Sequence, residues 1–517
     1  MCYNFVESKK NTQNQEHTFM VILSTQRKFD KDIPIVFGNA EFTAERELLI
    51  TIDEIIRQSG VEKIVMDYFV DVARVNKAIE VFGTDTPSRL TANEIANVKD
   101  NAVLALRASI LRKRLKLSLR AFALALSHSD LYQWFCRINR FFDPRIPGKS
   151  HLGELENRLP VDVIRQLDTL LLRSAADGEV LYEPIDFSQC YLDSTCISAN
   201  IHFPVDWLLL RDSTRTMMKA VRRIRTLGLK NRMPFEPNGY IRKMNKLCMQ
   251  MTFAKRKKDS KRQRKSILRK MKNLLKKVSQ HAMKHFELLD KNWETVDISR
   301  PQAEQILKQI SNVTGKLADI VRCAHERIIG ERKVANTDKL LSIYEDNVHV
   351  IVRHKSGAEV EFGNTLLLAE QDEGVIVDWK LFRDQAPADS RLLQSSHHRI
   401  RKNLGIDVKL IAGDRGFDSK DNQHYFEKEN IFNAVAPRNP QELQHRLEEE
   451  RFRQSQNRRS QTEARISILS HCFCGDPMRQ KGFEHREIHM GLSVLSHNLW
   501  VLARLKLAQE AKLKHAA

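Results

Sequence analysis

The sequence predicts a mixed α/β fold with a helical region ahead of its sheet and a long helical insertion after the first strand. Three observations predict it. Apolar residues recur at helical spacing from Thr91 to about residue 180. An extended run then closes on Asp193 and gives way to a strongly basic helical stretch. Beyond Lys339 the spacing turns alternating, and strands and helices follow one another to about residue 505.

The chain has 517 residues, with 85 Lys+Arg against 65 Asp+Glu, so its formal charge is 85 − 65 = +20. At 42% hydrophobic and 29% charged it has the composition of a globular chain with several domains, which excludes a small stapled scaffold and an acidic disordered tail. The basic excess implies a polyanionic partner, nucleic acid being the commonest, with ribosome contact or an anionic membrane surface as alternatives. Eight cysteines, at 2, 136, 190, 196, 248, 323, 472 and 474, form no C-x-x-C pair, so neither a zinc ribbon nor a disulfide framework is expected. No apolar run reaches the ~18 residues of a membrane span, and the expectation is a cytoplasmic protein with no membrane partner.

Residues 1–90 mix polar stretches with short apolar segments such as 61–72 and give little. Residues 91–180 read as closely spaced helices. Ala102, Leu104, Leu106, Ile110 and Leu111 mark the first, 117–126 a second, and 131–138 a third after the capping types Ser127 to Asp130. With Arg112, Lys113, Arg114, Lys116 and Arg120 among them, they predict a helix-turn-helix-like DNA-binding domain; a helical bundle with a solvated basic face is the plainer alternative.

A first strand over 186–193 follows, within a core assigned to 181–210 and 335–505. Residues 211–334 form the basic helical insertion. Between Arg211 and Lys284 there are 25 Lys/Arg and 3 Asp/Glu, and within 255–277 the balance is 13 to 1. Ile267, Met271, Leu274, Leu275 and Val278 nevertheless keep an apolar stripe, matched by Ile306, Leu307, Ile310, Val313, Leu317, Ile320 and Val321. This predicts an antiparallel helix pair with a positive outer face. On that face Lys255, Arg256, Lys257, Lys258, Arg262, Arg264 and Lys265 are expected to contact phosphates. Residues 348–352, 358–362, 365–370 and 374–379 read as strands, 389–403 as a helix, 407–414 and 431–437 as strands, and 441–474 as a long helix.

Three acids stand out. Asp193 lies where a strand is expected to end, Asp414 lies between Gly413 and Gly416, and Glu463 lies on the late helix. Together they would make an oxygen-rich pocket for Mg²⁺, or Mn²⁺, as a pair of ions ~4 Å apart that activates a water and stabilises a leaving oxygen of a phosphodiester. Asp206, Asp212, Asp378, Asp418 and Glu427 are rivals by composition. Asn200, His202 and Asp206 are secondary candidates for the pocket lining, and Arg415 for a phosphate contact with a salt bridge as its alternative. Trp500 and Leu502 are expected in the core.

The strings YLDSTCISANIHFPVDWLLLRDSTR (191–215), DKLLSIYE (338–345), GDRGFDS (413–419), RRSQTEARISIL (458–469) and SHNLWVLARL (496–505) resemble the DDE transposases of bacterial insertion sequences, especially the ISNCY-like branch. The likeness runs in order from about Leu104 to Leu505. It implies an RNase H-like catalytic core with Asp193, Asp414 and Glu463 as its metal-binding acids. It also implies metal-dependent cleavage at the element's ends and strand transfer into target DNA. The implied partners are terminal inverted repeats and target DNA, held by a homodimer or larger assembly. Where that family usually has Glu shortly after the first acid, this chain has Ser198. Where it usually has Lys-Arg after the third, this chain has Ser470 and His471, and Arg459 or Arg465 is the expected substitute unless it pairs with a carboxylate. An RNase H-like nuclease without strand transfer and a catalytically decayed DNA-binding protein are the alternatives.

Overall fold

Six strands form one mixed, open sheet: β1 (Gln189–Ser198), β2 (His349–Lys355), β3 (Ala358–Glu370), β4 (Ile376–Leu381), β5 (Leu410–Gly413) and β6 (Phe432–Val435). The order is β2-β3-β1-β5-β6, with β4 also on β3. β1, β5 and β6 run parallel, while β3 is antiparallel to both β2 and β4. This is a computed structural model, and it describes residues 33, 36–83, 86–138, 145–254, 259–355 and 358–516.

Two compact units share the chain. The first comprises residues up to 197, 365–382 and 386 onward, and the second comprises 198–364 with 383–385. Among the described residues of the first unit, seven helices precede the sheet: α1 (Ala40–Ser59), α2 (Val61–Phe82), α3 (Ala92–Leu115), α4 (Leu119–His128), α5 (Asp130–Phe135), α6 (Lys149–Asn157) and α7 (Val161–Ala176). Local chemistry sets several of their ends. Thr91 and Glu94 form a capping box at the start of α3, and Ser118 and Ser129 cap α4 and α5.

The basic residues of this region are not one solvated face. Arg112 and Lys113 are buried against Glu156 and Arg114 reaches Glu45, whereas Lys116 and Arg120 are exposed. The sequence shows the charges but not the acid that takes two of them inside, 43 and 44 positions away.

The second unit holds the insertion as four helices, α8 (Asp206–Thr226), α9 (Pro237–Ala254), α10 (Ser260–Asn292) and α11 (Arg300–Ile328). Met271, Leu275 and Val278 of α10 share one core with Ile306, Ile310, Val313 and Ile320 of α11, joined by Met217, Val221 and Met244 of the other two helices. A fully buried Leu or Met side chain contributes about 1.5–3 kcal/mol, so this unit is held by its seam despite its charge. The expected helix pair is therefore half of a four-helix core.

Back in the first unit, α12 (Leu393–Leu404), α13 (Lys420–Glu429), α14 (Pro440–Arg446) and α15 (Glu450–Ile468) alternate with the late strands. α15 runs into a π-helical segment, Leu469–Cys474, and the last helix, α16 (Phe483–Ala516), buries Leu492, Leu495, Leu499 and Leu502 in the main core. Leu502 is core as expected, and Trp500 packs beside Phe473 and His497.

Three sequence expectations change. The first strand does not end at Asp193 but continues to Ser198, because Thr195 and Ile197 keep it extended. The runs 358–362 and 365–370 are a single strand of 13 residues, since Gly363 stays within the ladder opposite His349. The long helix expected over 441–474 is broken into α14, α15 and the π segment.

Candidate active site

Parallel pairing places the two aspartates. Tyr191 of β1 lies opposite Ala412 of β5, so Asp193 and Asp414 each stand two residues further on. Side chains alternate along a strand, so Asp193 shares the face of Tyr191, while Asp414 directly follows Gly413 at the end of the neighbouring strand, about 4.8 Å away. Asp193 is therefore inside a strand and Asp414 on the turn just after one. Asp193 Oδ1 accepts the Ser194 N–H at 2.7 Å. Asp414 Oδ1 accepts the Gly416 N–H at 2.8 Å, which closes a tight turn completed by the Phe417 N–H on the Asp414 carbonyl.

Gly416 has a reason to be glycine. A Cβ there would lie 2.9 Å from Asp414 Oδ1 and 3.0 Å from Asp389 Oδ2, so its bare α-carbon lets two carboxylates close over it. Asp389 was missed in the sequence, where it looks like the first residue of a helix. It heads a short 3-10 turn ahead of α12, and no local signal tells of its approach to Asp414.

Glu463 is carried by α15, and two sets of contacts fix that helix. On one face Gln456 Nε2 donates to the carbonyls of Gly413 and Ala434, at 3.1 and 2.5 Å, tying α15 to the ends of β5 and β6. Arg459 donates to Gln456 Oε1 at 3.2 Å. Gln456, Arg459 and Glu463 follow one another at helical spacing and share that face. On another face, Arg458 and Thr462 both donate to Oε1 of the fully buried Glu370, at 2.9 and 2.8 Å. Arg458 also donates to the carbonyls of Gln371 and Asp372 and lies over the Tyr191 ring. Arg465 stands 3.3 Å from Glu370 Oε2. Gly374, with φ +87°, makes room for it: a Cβ there would fall 2.1 Å from the Arg465 guanidinium.

The electrostatics tie the three acids together. Burial pushes Asp193 up to about 6, the charge of Asp414 pushes the same way, and Glu463 adds to it. The Ser194 N–H and Arg459 oppose the shift. Asp193 is half-buried and Glu463 is exposed. Among the described residues, no three His, Cys, Asp or Glu side chains stand close enough to hold an ion as placed. The donor chemistry is nevertheless that of a hard divalent cation: carboxylate oxygens on adjacent strands that burden one another with like charge.

The rival acids are committed elsewhere. Asp206, expected as a pocket residue, is buried with its carboxylate 3.0 Å from Arg327 in the second unit. Asp212 takes Arg211, and Asp378 takes Arg399 and Ser396. Asp418 accepts from Gln423 and the Arg438 N–H, and Glu427 faces His424. Asn200 and His202 are exposed in the second unit.

The expected DNA contacts divide. Arg415 is exposed, and Arg459 acts electrostatically on Asp193. Arg465 follows its alternative and turns to Glu370, because a buried carboxylate demands a cation. Arg262 is exposed, Arg264 lies over Trp207, and Lys265 pairs with Glu331 at 2.8 Å. Lys255, Arg256, Lys257 and Lys258 lie outside the described residues.

Comparison with protein-family models, with curated proteins and with solved structures gave no match.

Proposed function

We propose that this chain is a DDE-type DNA transposase with an RNase H-like core, which cleaves DNA at the ends of its own element and transfers the freed strand to target DNA. The observation that carries the reading is the register of β1 on β5, which sets Asp193 beside Asp414 while α15 presents Glu463 to the same charge environment. The long motifs of the resemblance carry these same three acids, and the net charge of +20 suits a DNA partner.

Asp193, Asp414 and Glu463 would hold Mg²⁺ or Mn²⁺, with Asp389 close by. When bound, a pair of such ions lowers the pKa of an attacking water and stabilises the leaving oxygen. The protein's own part is positional. The parallel strands fix the two aspartates, and the Glu370 and Gln456 contacts fix the helix that carries Glu463. Arg459, whose charge acts on Asp193, would contact an oxygen of the scissile phosphate. Hydrolysis at an element end breaks one P–O bond and frees a 3′-hydroxyl. That hydroxyl then attacks a target phosphodiester, and the displaced 3′-oxygen leaves with a proton. No protein-bound intermediate is required.

The test uses duplexes taken from the DNA flanking the coding sequence. Mg²⁺-dependent cleavage and joining are expected with the wild type, and loss of both with Asp193→Asn, Asp414→Asn or Glu463→Gln. Cleavage that never yields joined products identifies a nuclease. Unimpaired cleavage by all three variants removes the site assignment.

A further inference from the structure

A cavity of about 620 Å³ opens in the first unit between the end of α3, the start of α4, α6, the π segment after α15 and the start of α16. Its buried floor is charged. Arg112 makes a two-pronged pair with Glu156, with Nε 3.0 Å from Oε2 and Nη2 2.6 Å from Oε1. Lys113 also donates to Glu156, at 2.7 Å. Two cations thus share one carboxylate, and all three residues are buried.

The remaining neighbour does not supply the missing negative charge. His489 Nε2 lies 2.8 Å from the Cys474 carbonyl and must donate to it, which leaves Nδ1 as a neutral acceptor for the Lys113 ammonium. Among the described residues these two contacts use two of the three Lys113 donors. Burial brings Lys113 down to about 8, with Arg112 adding to the effect and Glu156 opposing it. The mouth has the same imbalance: Lys116, Arg479 and Lys481 are exposed there against the single acid Asp476. Two buried cations sharing one carboxylate leave an excess positive charge that is costly to bury, and an anion in the cavity would offset that cost.

From this geometry we infer that the cavity is a phosphate-binding site, with Lys113 and Arg112 at its floor and Lys116, Arg479 and Lys481 at its mouth, and that its occupant is a backbone phosphate of a bound DNA strand. The choice of DNA rests on the function proposed above; the choice of phosphate rests on the cavity alone. The connection to the acids is direct in the chain. His471, on the cavity wall, lies in the π segment that follows α15, eight residues after Glu463, on the order of 10 Å along the chain direction at roughly 1.5 Å per α-helical residue. A strand whose scissile phosphate met the acids would reach the cavity a few nucleotides away.

The experiment measures binding without cleavage, in EDTA, so that it does not depend on the metal site. Fluorescence anisotropy with a short duplex over a salt series compares the wild type, Arg479→Glu/Lys481→Glu, and a control of equal charge change, Lys99→Glu/Lys512→Glu, at exposed positions outside the cavity. The mouth variant is expected to bind about tenfold more weakly with a salt slope shallower by about 2, and the control to stay near wild type. Inorganic phosphate should raise the melting temperature of the wild type and not of the mouth variant. Equal losses in both variants, or none in either, would overturn the site. Loss of phosphate protection with unchanged duplex binding would overturn the strand assignment in favour of free phosphate. Weakened duplex binding alongside a wild type that never cleaves would uphold the cavity and remove the transposase reading.

Discussion

Asp193 inside β1 and Asp414 on the turn that follows β5 each stand two residues past the parallel pair formed by Tyr191 and Ala412. Burial pushes Asp193 up to about 6 against an ordinary value of 3.8, and the like charge of Asp414 adds to the shift. A fold keeps such an arrangement at a cost to its own stability, as active sites commonly do.

That cost is measurable. A carboxyl whose folded pKa is raised holds its proton more tightly in the folded state, so stability falls as pH rises from about 4 to about 6 and then stays low. Asp193→Asn removes both the charge and the repulsion. Allowing for solvent screening, it should stabilise the protein at pH 7.5 by about 1–2 kcal/mol, with the gain fading near pH 4. Mg²⁺ should raise the melting temperature of the wild type and not of the variant. Thermal melts at both pH values with and without Mg²⁺ check this; a loss of stability at pH 7.5 would contradict it.

Glu370 and Gly374 are expected to act on the site through α15. Gly374→Ala would set a methyl group where the Arg465 guanidinium lies, at a φ of +87° that costs a further ~1 kcal/mol or more. Glu370→Gln would leave Arg458 and Arg465 around a neutral buried group, a change expected to cost about 3 kcal/mol or more. Both variants should lower Mg²⁺-dependent cleavage as Glu463 shifts, yet leave duplex affinity in EDTA near wild type. Urea titrations beside cleavage rates separate the two effects.

The sequence carries a good part of this architecture. The seam of Met271, Leu275 and Val278 against Ile306, Ile310 and Val313 was readable because apolar spacing survives any density of surface charge. Asp193, Asp414 and Glu463 stand out in the sequence because long strings surround them, and the β1–β5 register then brings the first two near one another. What was not readable depends on distant partners. Glu370 looks like one more strand-end acid until Arg458, Thr462 and Arg465 close on it from about 90 positions away. Asp389 looks like a cap until Gly416 lets it approach Asp414. Arg112 and Lys113 look like part of an exposed basic face until Glu156 draws them inside.

Asp168 should titrate near neutrality. It is buried on α7, and burial pushes it up to about 7; the Trp379 Nε1–H at 3.3 Å and the charge of Arg165 only partly oppose this. Its Oδ1 is buried without a hydrogen-bond partner, which favours the neutral acid. By the same sign as for Asp193, stability falls as pH rises from about 4 to about 7. Asp168→Asn keeps an acceptor for Trp379 and should flatten that slope. Tryptophan fluorescence of the wild type should show a transition near pH 7 that the variant lacks.

Gly416→Ala separates the geometry of the acids from the stability of the fold. The backbone of Gly416 is not in the left-handed region, so alanine brings no φ penalty, and the turn itself can form. The added methyl group instead meets Asp414 Oδ1 at 2.9 Å and Asp389 Oδ2 at 3.0 Å, and carboxylates can rotate away where a packed core could not yield. The melting temperature should therefore change little, while Mg²⁺-dependent cleavage falls by about tenfold or more, because a shift of a fraction of an ångström at a reacting centre is enough for such a loss. Raising the Mg²⁺ concentration should recover part of the rate, since what the methyl group disturbs is the set of oxygens. A variant that melts well below the wild type would instead make Gly416 a structural residue and take Asp389 out of the site.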